Sequence, residues 1–106
     1  MTRNSNKQET EIEGYLVERI KSIGGMCPKW ISPGTKGVPD RIVLMSNSLI
    51  CFVETKREVG GRISPIQKWR AKQLSQYGFE TFFINTKPQV DKLIASLMDG
   101  KIPDAV

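Results

Sequence analysis

Residues Gly37–Lys56 read GVPDRIVLMSNSLICFVETK, and this stretch decides the fold. Ile42 to Met45 is a brief apolar strand, Ser46-Asn47-Ser48 turns the chain, and Leu49-Ile50-Cys51-Phe52-Val53 is an almost unbroken apolar run, rich in β-branched and aromatic residues. Such a run suits a central strand covered on both faces. Two strands joined by a short polar turn form a hairpin, which brings its two ends together. Asp40 opens the first strand and Glu54 closes the second, so the two acids meet at one end. Lys56, two residues past Glu54, leaves the strand from the same face.

Two carboxylates held close together repel and raise one another's pKa, and a hard divalent cation between them removes that penalty. The main-chain carbonyl of Thr55 is within reach as a further oxygen ligand. A cation that keeps some of its water, set beside a lysine ammonium group, supplies what phosphodiester hydrolysis needs: a nucleophile, and positive charge for the dianion that develops. Each half of the pattern is ordinary alone. Gly-Val-Pro-Asp is good turn chemistry, and Glu-Xaa-Lys is a common solvated strand end. Together, at hairpin spacing and followed by a basic loop, they point to a nuclease-type site.

Outward from the hairpin, Ile12, Leu16, Ile20 and Ile23 recur at helical spacing, which predicts a helix from Glu9 to about Ile23 that Gly24-Gly25 stops. Met26 to Ile31 reads as a short strand, irregular or at an edge because of Pro28, and Ser32 to Gly37 as loop. After Glu54, Arg57-Glu58-Val59-Gly60-Gly61-Arg62 is a basic, glycine-containing loop. Ser64-Pro65 opens a helix running to about Tyr77 and ended by Gly78, with Ser as N-cap and Pro in the first turn. Phe79 to Ile84 is a strand. Thr86 caps a last helix whose buried stripe is Val90, Leu93, Ile94, Leu97 and Met98, and Gly100 closes it. The order helix, strand, strand, strand, helix, strand, helix predicts a mixed sheet flanked by helices, with a crossover from the Glu54 strand to the Phe79 strand. The expected organisation is a disordered start over residues 1–8, one domain over 9–99 and a tail over 100–106.

The totals agree with a small enzyme acting on a polyanion. The 106 residues are one domain's worth. Sixteen Lys and Arg against eleven Asp and Glu give a net charge of +5, a balance that favours nucleic acid. Histidine is absent, which removes Ser-His-Asp and Cys-His catalysis and every histidine-bearing zinc site. With only Cys27 and Cys51 there is no four-cysteine zinc site either. Chemistry on phosphate esters is left to carboxylates, lysine and a hard metal. No run suits a signal peptide or a membrane helix, so the expected setting is the cytoplasm. The cysteines are then free thiols, Cys51 a small buried hydrophobe.

With these elements in place, the chain resembles the VRR-NUC family of the PD-(D/E)XK nuclease superfamily. The resemblance runs in order through Glu9-Thr10-Glu11-Ile12-Glu13, Ser32-Pro33-Gly34, Gly37-Val38-Pro39-Asp40-Arg41, Phe52-Val53-Glu54-Thr55-Lys56, Ser64-Pro65-Ile66-Gln67 and Gly78-Phe79. It implies an α/β, restriction-endonuclease-like αβββαβ core with an added C-terminal helix, Mg2+ dependence with Mn2+ as a substitute, and endonuclease activity. It also implies a homodimer acting on branched DNA such as four-way (Holliday) junctions. The family's metal ligands fall on Asp40 and Glu54 and its lysine on Lys56. Its helix-one glutamate falls on Glu13 or Glu9, with Glu13 preferred because it lies nearer the apolar stripe. Gln67 matches the family's glutamine, an amide able to reach a ligand or phosphate. Thr55 departs mildly from the pattern, standing where an apolar residue is common.

Lys36 and Arg41 on one lip, and Arg57 and Arg62 around Gly60-Gly61 on the other, are the expected phosphate contacts. Trp30 and Trp69 read as core or interface residues, base stacking being the other role open to them. Alternatives to a junction nuclease are a non-catalytic DNA-binding module of the same fold, or a nuclease acting on linear duplex or RNA.

Overall fold

The computed structural model describes the backbone of residues 2–106 and the side chains from Gln8 onward; Met1 and the side chains of residues 2–7 lie outside the described residues. Helix α1 spans Thr2–Ser22. Helical backbone therefore takes in most of the stretch expected as a disordered start, since a helix, once nucleated, extends through polar residues at little cost per residue. From Glu9 on, α1 follows the sequence pattern, with Ile12, Leu16 and Ile20 buried.

Strand β1 (Arg41–Leu44) pairs antiparallel with β2 (Ile50–Thr55), and β2 pairs parallel with β3 (Thr81–Ile84), giving the sheet order β1-β2-β3. Asn47 and Ser48, in the 3-10 turn Ser46–Ser48, both adopt positive φ (65° and 64°), the left-handed backbone that lets a tight turn follow the twist of its strands. Helix α2 (Pro65–Gln76) carries the chain across from β2 to β3, and α3 (Lys87–Met98) follows. The mixed sheet flanked by helices is thus of the kind the sequence predicts, with three strands in place of four.

Strand β2 is buried from Cys51 to Thr55 because both of its faces are covered. On one face Cys51 and Val53 join Ile12, Leu16 and Ile20 of α1 and Val90, Leu93, Ile94 and Leu97 of α3 in a single apolar core. On the other, Phe52 packs between Trp30 and Phe79, with ring centroids at 5.0 and 6.0 Å. Glu54 lies on this second face, below α2. Cys27 and Cys51 are free and buried, and burial pushes their thiols up to about 11 and about 12. The tail returns to the core, where Ile102 and Val106 pack.

Two expectations need correction. Met26 to Ile31 is no strand but two isolated antiparallel bridges to β1, Met26 with Leu44 and Lys29 with Arg41. Pro28 between them has no N–H to give and serves only as acceptor, its carbonyl taking the Ile42 amide at 2.9 Å. Met98, expected in the buried stripe of α3, is 68% exposed. At 100° per residue it stands about 90° from the centre of the stripe formed by Val90, Leu93, Ile94 and Leu97. No described helix is long and apolar enough to cross a membrane.

Candidate active site

The β1–β2 register sets the site. Arg41 opposes Val53, so the residues one step further out, Asp40 and Glu54, face each other at the open end of the hairpin. They clasp reciprocally. The Asp40 amide donates to Glu54 Oε1 at 3.1 Å, and the Thr55 amide and hydroxyl donate to Asp40 Oδ2 at 3.1 and 3.3 Å. Asp40 Oδ1 takes part in none of these bonds.

Glu54 Oε2 gathers the rest. Lys56 Nζ lies 3.1 Å away, and Gln67 Nε2 donates at 2.6 Å. Gln67 is held in turn by the start of α2. Its Oε1 accepts the Ser64 amide while its own amide donates to the Ser64 hydroxyl, a complete capping box. One side chain therefore closes the helix and fastens the carboxylate. The Ser64-Xaa-Xaa-Gln67 spacing is a readable signal of the cap, but its link to Glu54 is not readable without the crossover geometry.

Glu54 is only 3% exposed. Its pKa is raised, first by burial and then by the charge of Asp40, with Lys56 pulling the other way. With both acids ionised, two negative charges face one ammonium group, leaving a net −1. A buried charge deficit lined by hard carboxylate oxygens suits a divalent cation, so the donor set fits the ion that the resemblance implies. Among the described residues no cluster of three His, Cys, Asp or Glu side chains adds a further ligand.

Helix-one acids stand apart from this pair. Glu13 Oε2 accepts from Arg41 Nε at 2.8 Å, and Arg41 also donates to the Cys27 carbonyl at 2.9 Å. Arg41, expected as a phosphate contact, is instead an internal strut tying α1 and the Pro28 segment to β1, its side chain 17% exposed. Glu9 is half-buried one turn earlier on α1. Of the other expected phosphate contacts, Lys36 and Arg62 are exposed on the two loops, while Arg57 folds back on its own turn, Nε to the Val59 carbonyl at 3.1 Å.

The loop before Asp40 is fixed to α2. The Arg70 Nε donates to the Lys36 carbonyl at 3.0 Å. Gly37 sits at φ +79°, where a Cβ would come within 2.7 Å of the Ile66 carbonyl oxygen; no larger residue fits. Asp40, Glu54 and Lys56 are thereby placed by two strands, one helix start and one pinned loop.

Replacing Gln67 with alanine is expected to lower the rate of strand cutting about tenfold to a hundredfold, the scale found for loss of a group that orients a functional carboxylate. Single-turnover rates at saturating substrate would show it, with circular dichroism reporting an unchanged fold. A rate equal to wild type would reduce Gln67 to a helix cap.

An acid at the mouth of one strand, Glu-Xaa-Lys at the end of its neighbour and a helix laid over them are the PD-(D/E)XK type of nuclease architecture. The "Putative nuclease p44" of Acyrthosiphon pisum secondary endosymbiont phage 1 is 36% identical over 80 residues, covering 76% of this chain and 85% of that protein. A solved structure described as "VRR_NUC domain" superposes with a TM-score of 0.77 at 31% identity, over 83% of this chain and 95% of the other. No family model matches the sequence. On the strength of the relative and the structure, the chain belongs to the VRR-NUC family.

Proposed function

We propose that this protein is a metal-dependent, structure-selective DNA endonuclease that hydrolyses phosphodiester bonds in branched DNA such as four-way junctions. It would act in the cytoplasm, as a homodimer. One observation carries the catalytic part: two apposed carboxylates share their pocket with the Lys56 ammonium group, 3.1 Å from Glu54, and are left one positive charge short. Asp40, Glu54 and the Thr55 carbonyl would hold Mg2+, or Mn2+ in its place. When bound, that ion lowers the pKa of its water and draws charge from a phosphoryl oxygen.

The chain's own groups supply the rest. Glu54 holds Lys56 at the mouth of the pocket, where the ammonium group meets the scissile phosphate and the attacking water and offsets the charge that builds on phosphorus. Gln67 keeps Glu54 from turning. Lys36 and Arg62 flank the opening as phosphate contacts that position without reading sequence. The products are 5′-phosphate and 3′-hydroxyl ends. Opposed nicks in a branched substrate need two sites and each chain has one, which is the reason for a dimer.

The test is cutting of end-labelled four-way junction, linear duplex of the same sequence, and RNA, each in Mg2+, Mn2+ or EDTA. Cutting that needs metal and favours the junction supports the proposal. Equal cutting of linear duplex would remove the structure selectivity, and binding with no cutting in either metal would leave a DNA-binding module.

A further inference from the structure

We infer that the outer face of α2 is a contact surface for unpaired nucleic acid, with Trp69 as a stacking platform for a base. Leu74 is the buried residue of α2. Trp69 and Tyr77 are 55% and 68% exposed, and with Lys72, Gln73 and Gln76 they line a shallow hollow of about 270 Å³. At 100° per residue, Trp69, Gln73 and Gln76 share one narrow sector, with Lys72 on one flank and Tyr77 on the other. A large aromatic surface left in water over two turns calls for an occupant.

Charge selects that occupant. From Pro65 to Gln76 the helix carries Lys68, Arg70 and Lys72 and no acid. A symmetric dimer through this face would set the same positive surface against itself, since a two-fold interface is self-complementary. A polyanion with flat, apolar bases meets both the charge and the exposed rings.

The platform is also rigid and connected to the site. The Arg70 guanidinium lies 4.8 Å from the Trp69 ring centroid. It is itself fixed by the Lys36 carbonyl at 3.0 Å and Gln73 Oε1 at 2.6 Å. Trp69 thus has one side backed by a held cation and the remainder open. Two residues earlier on the same helix, Gln67 holds Glu54. From Gln67 to Tyr77 the helix runs about 15 Å, the length of about four nucleotides of one strand. Gln67 faces the pocket and Trp69 lies about 160° round the helix axis from it, with Lys68 and Lys72 on the longer arc between them, so a single strand leaving the pocket over this side of α2 would pass its phosphates beside Lys68 and Lys72 and place a base on Trp69. This rests on the nuclease reading for its meaning, but its test does not need cutting.

Binding is measured in EDTA by anisotropy of a labelled oligothymidylate single strand and of a blunt duplex of equal length. Trp69→Ala is expected to weaken single-strand binding about five- to hundredfold, the range found for loss of one stacked base, with a smaller loss on the duplex and partial recovery in Trp69→Phe. Met98→Ala, a change at another exposed apolar residue, is the control and is expected to alter neither. Unchanged single-strand affinity in Trp69→Ala overturns the inference. So does sedimentation showing that Trp69→Ala turns a dimer into a monomer, because the face is then an interface between copies. A wild type that binds both probes yet cuts nothing in Mg2+ or Mn2+ would defeat the nuclease reading and leave this one standing.

Discussion

With Glu54 replaced by alanine, DNA cutting is expected to fall at least about a thousandfold, the scale of the several kcal/mol that charge stabilisation at such a site supplies. The size follows from what converges on one carboxylate. Its Oε2 holds Lys56 at 3.1 Å and Gln67 at 2.6 Å, and its Oε1 takes the Asp40 amide at 3.1 Å. Removing it frees the ammonium group, loosens the amide and deprives the proposed cation of a ligand in a single change. The fold should survive, because the side chain being removed is a buried carboxylate whose pKa is already raised by burial and by Asp40. Single-turnover rates with Mn2+, alongside circular dichroism, decide the matter. A folded variant that cuts at the wild-type rate would place the chemistry elsewhere.

Asp40→Asn is expected to change activity and stability in opposite directions. Cutting should drop about 100- to 1,000-fold, the loss typical when one preorganised electrostatic partner is neutralised. Without metal, however, the variant should be more stable than wild type at neutral pH by about 0.5–2 kcal/mol, the usual yield of relieving a functional conflict. An asparagine carbonyl still accepts from the Thr55 amide and hydroxyl, so the hairpin end is kept. The repulsion on Glu54 is what goes.

The pH dependence has a definite sign. Glu54 has a raised pKa in the folded protein, so between its unfolded and folded values the native state binds more protons than the unfolded chain. Wild-type stability from this group therefore falls as pH rises through that window. The advantage of the asparagine variant should be full above it and fade toward acid, where Glu54 is protonated in both proteins. Urea unfolding at several pH values in EDTA measures this, and a variant less stable than wild type at neutral pH would contradict it.

What could be read from sequence follows the range over which each signal acts. The hairpin, the helix ends at Gly24, Gly78 and Gly100 and the caps at Ser64 and Thr86 are local features, and each lies where its residues predict. The meeting of Asp40 and Glu54 is also nearly local, because a tight turn fixes the register on either side of it. What periodicity cannot convey is which face finds a neighbour. Arg41 looked like a free cation next to an acid, yet its partner is Glu13, twenty-eight positions away. Trp30 and Trp69 looked alike in sequence. One is half-buried on Phe52 and the other stands in solvent, a difference set by where α2 lies on the sheet. Met26 to Ile31 had the composition of a strand, but the missing amide of Pro28 breaks the ladder that composition alone would grant.

Gln67 belongs at once to the first turn of α2 and to the carboxylate that holds Lys56. A chain in which that turn has frayed, during synthesis or under heat, has also let go of Glu54. Closing the start of α2 and seating the carboxylate are thereby one event, so the site is assembled only in molecules whose helix has formed.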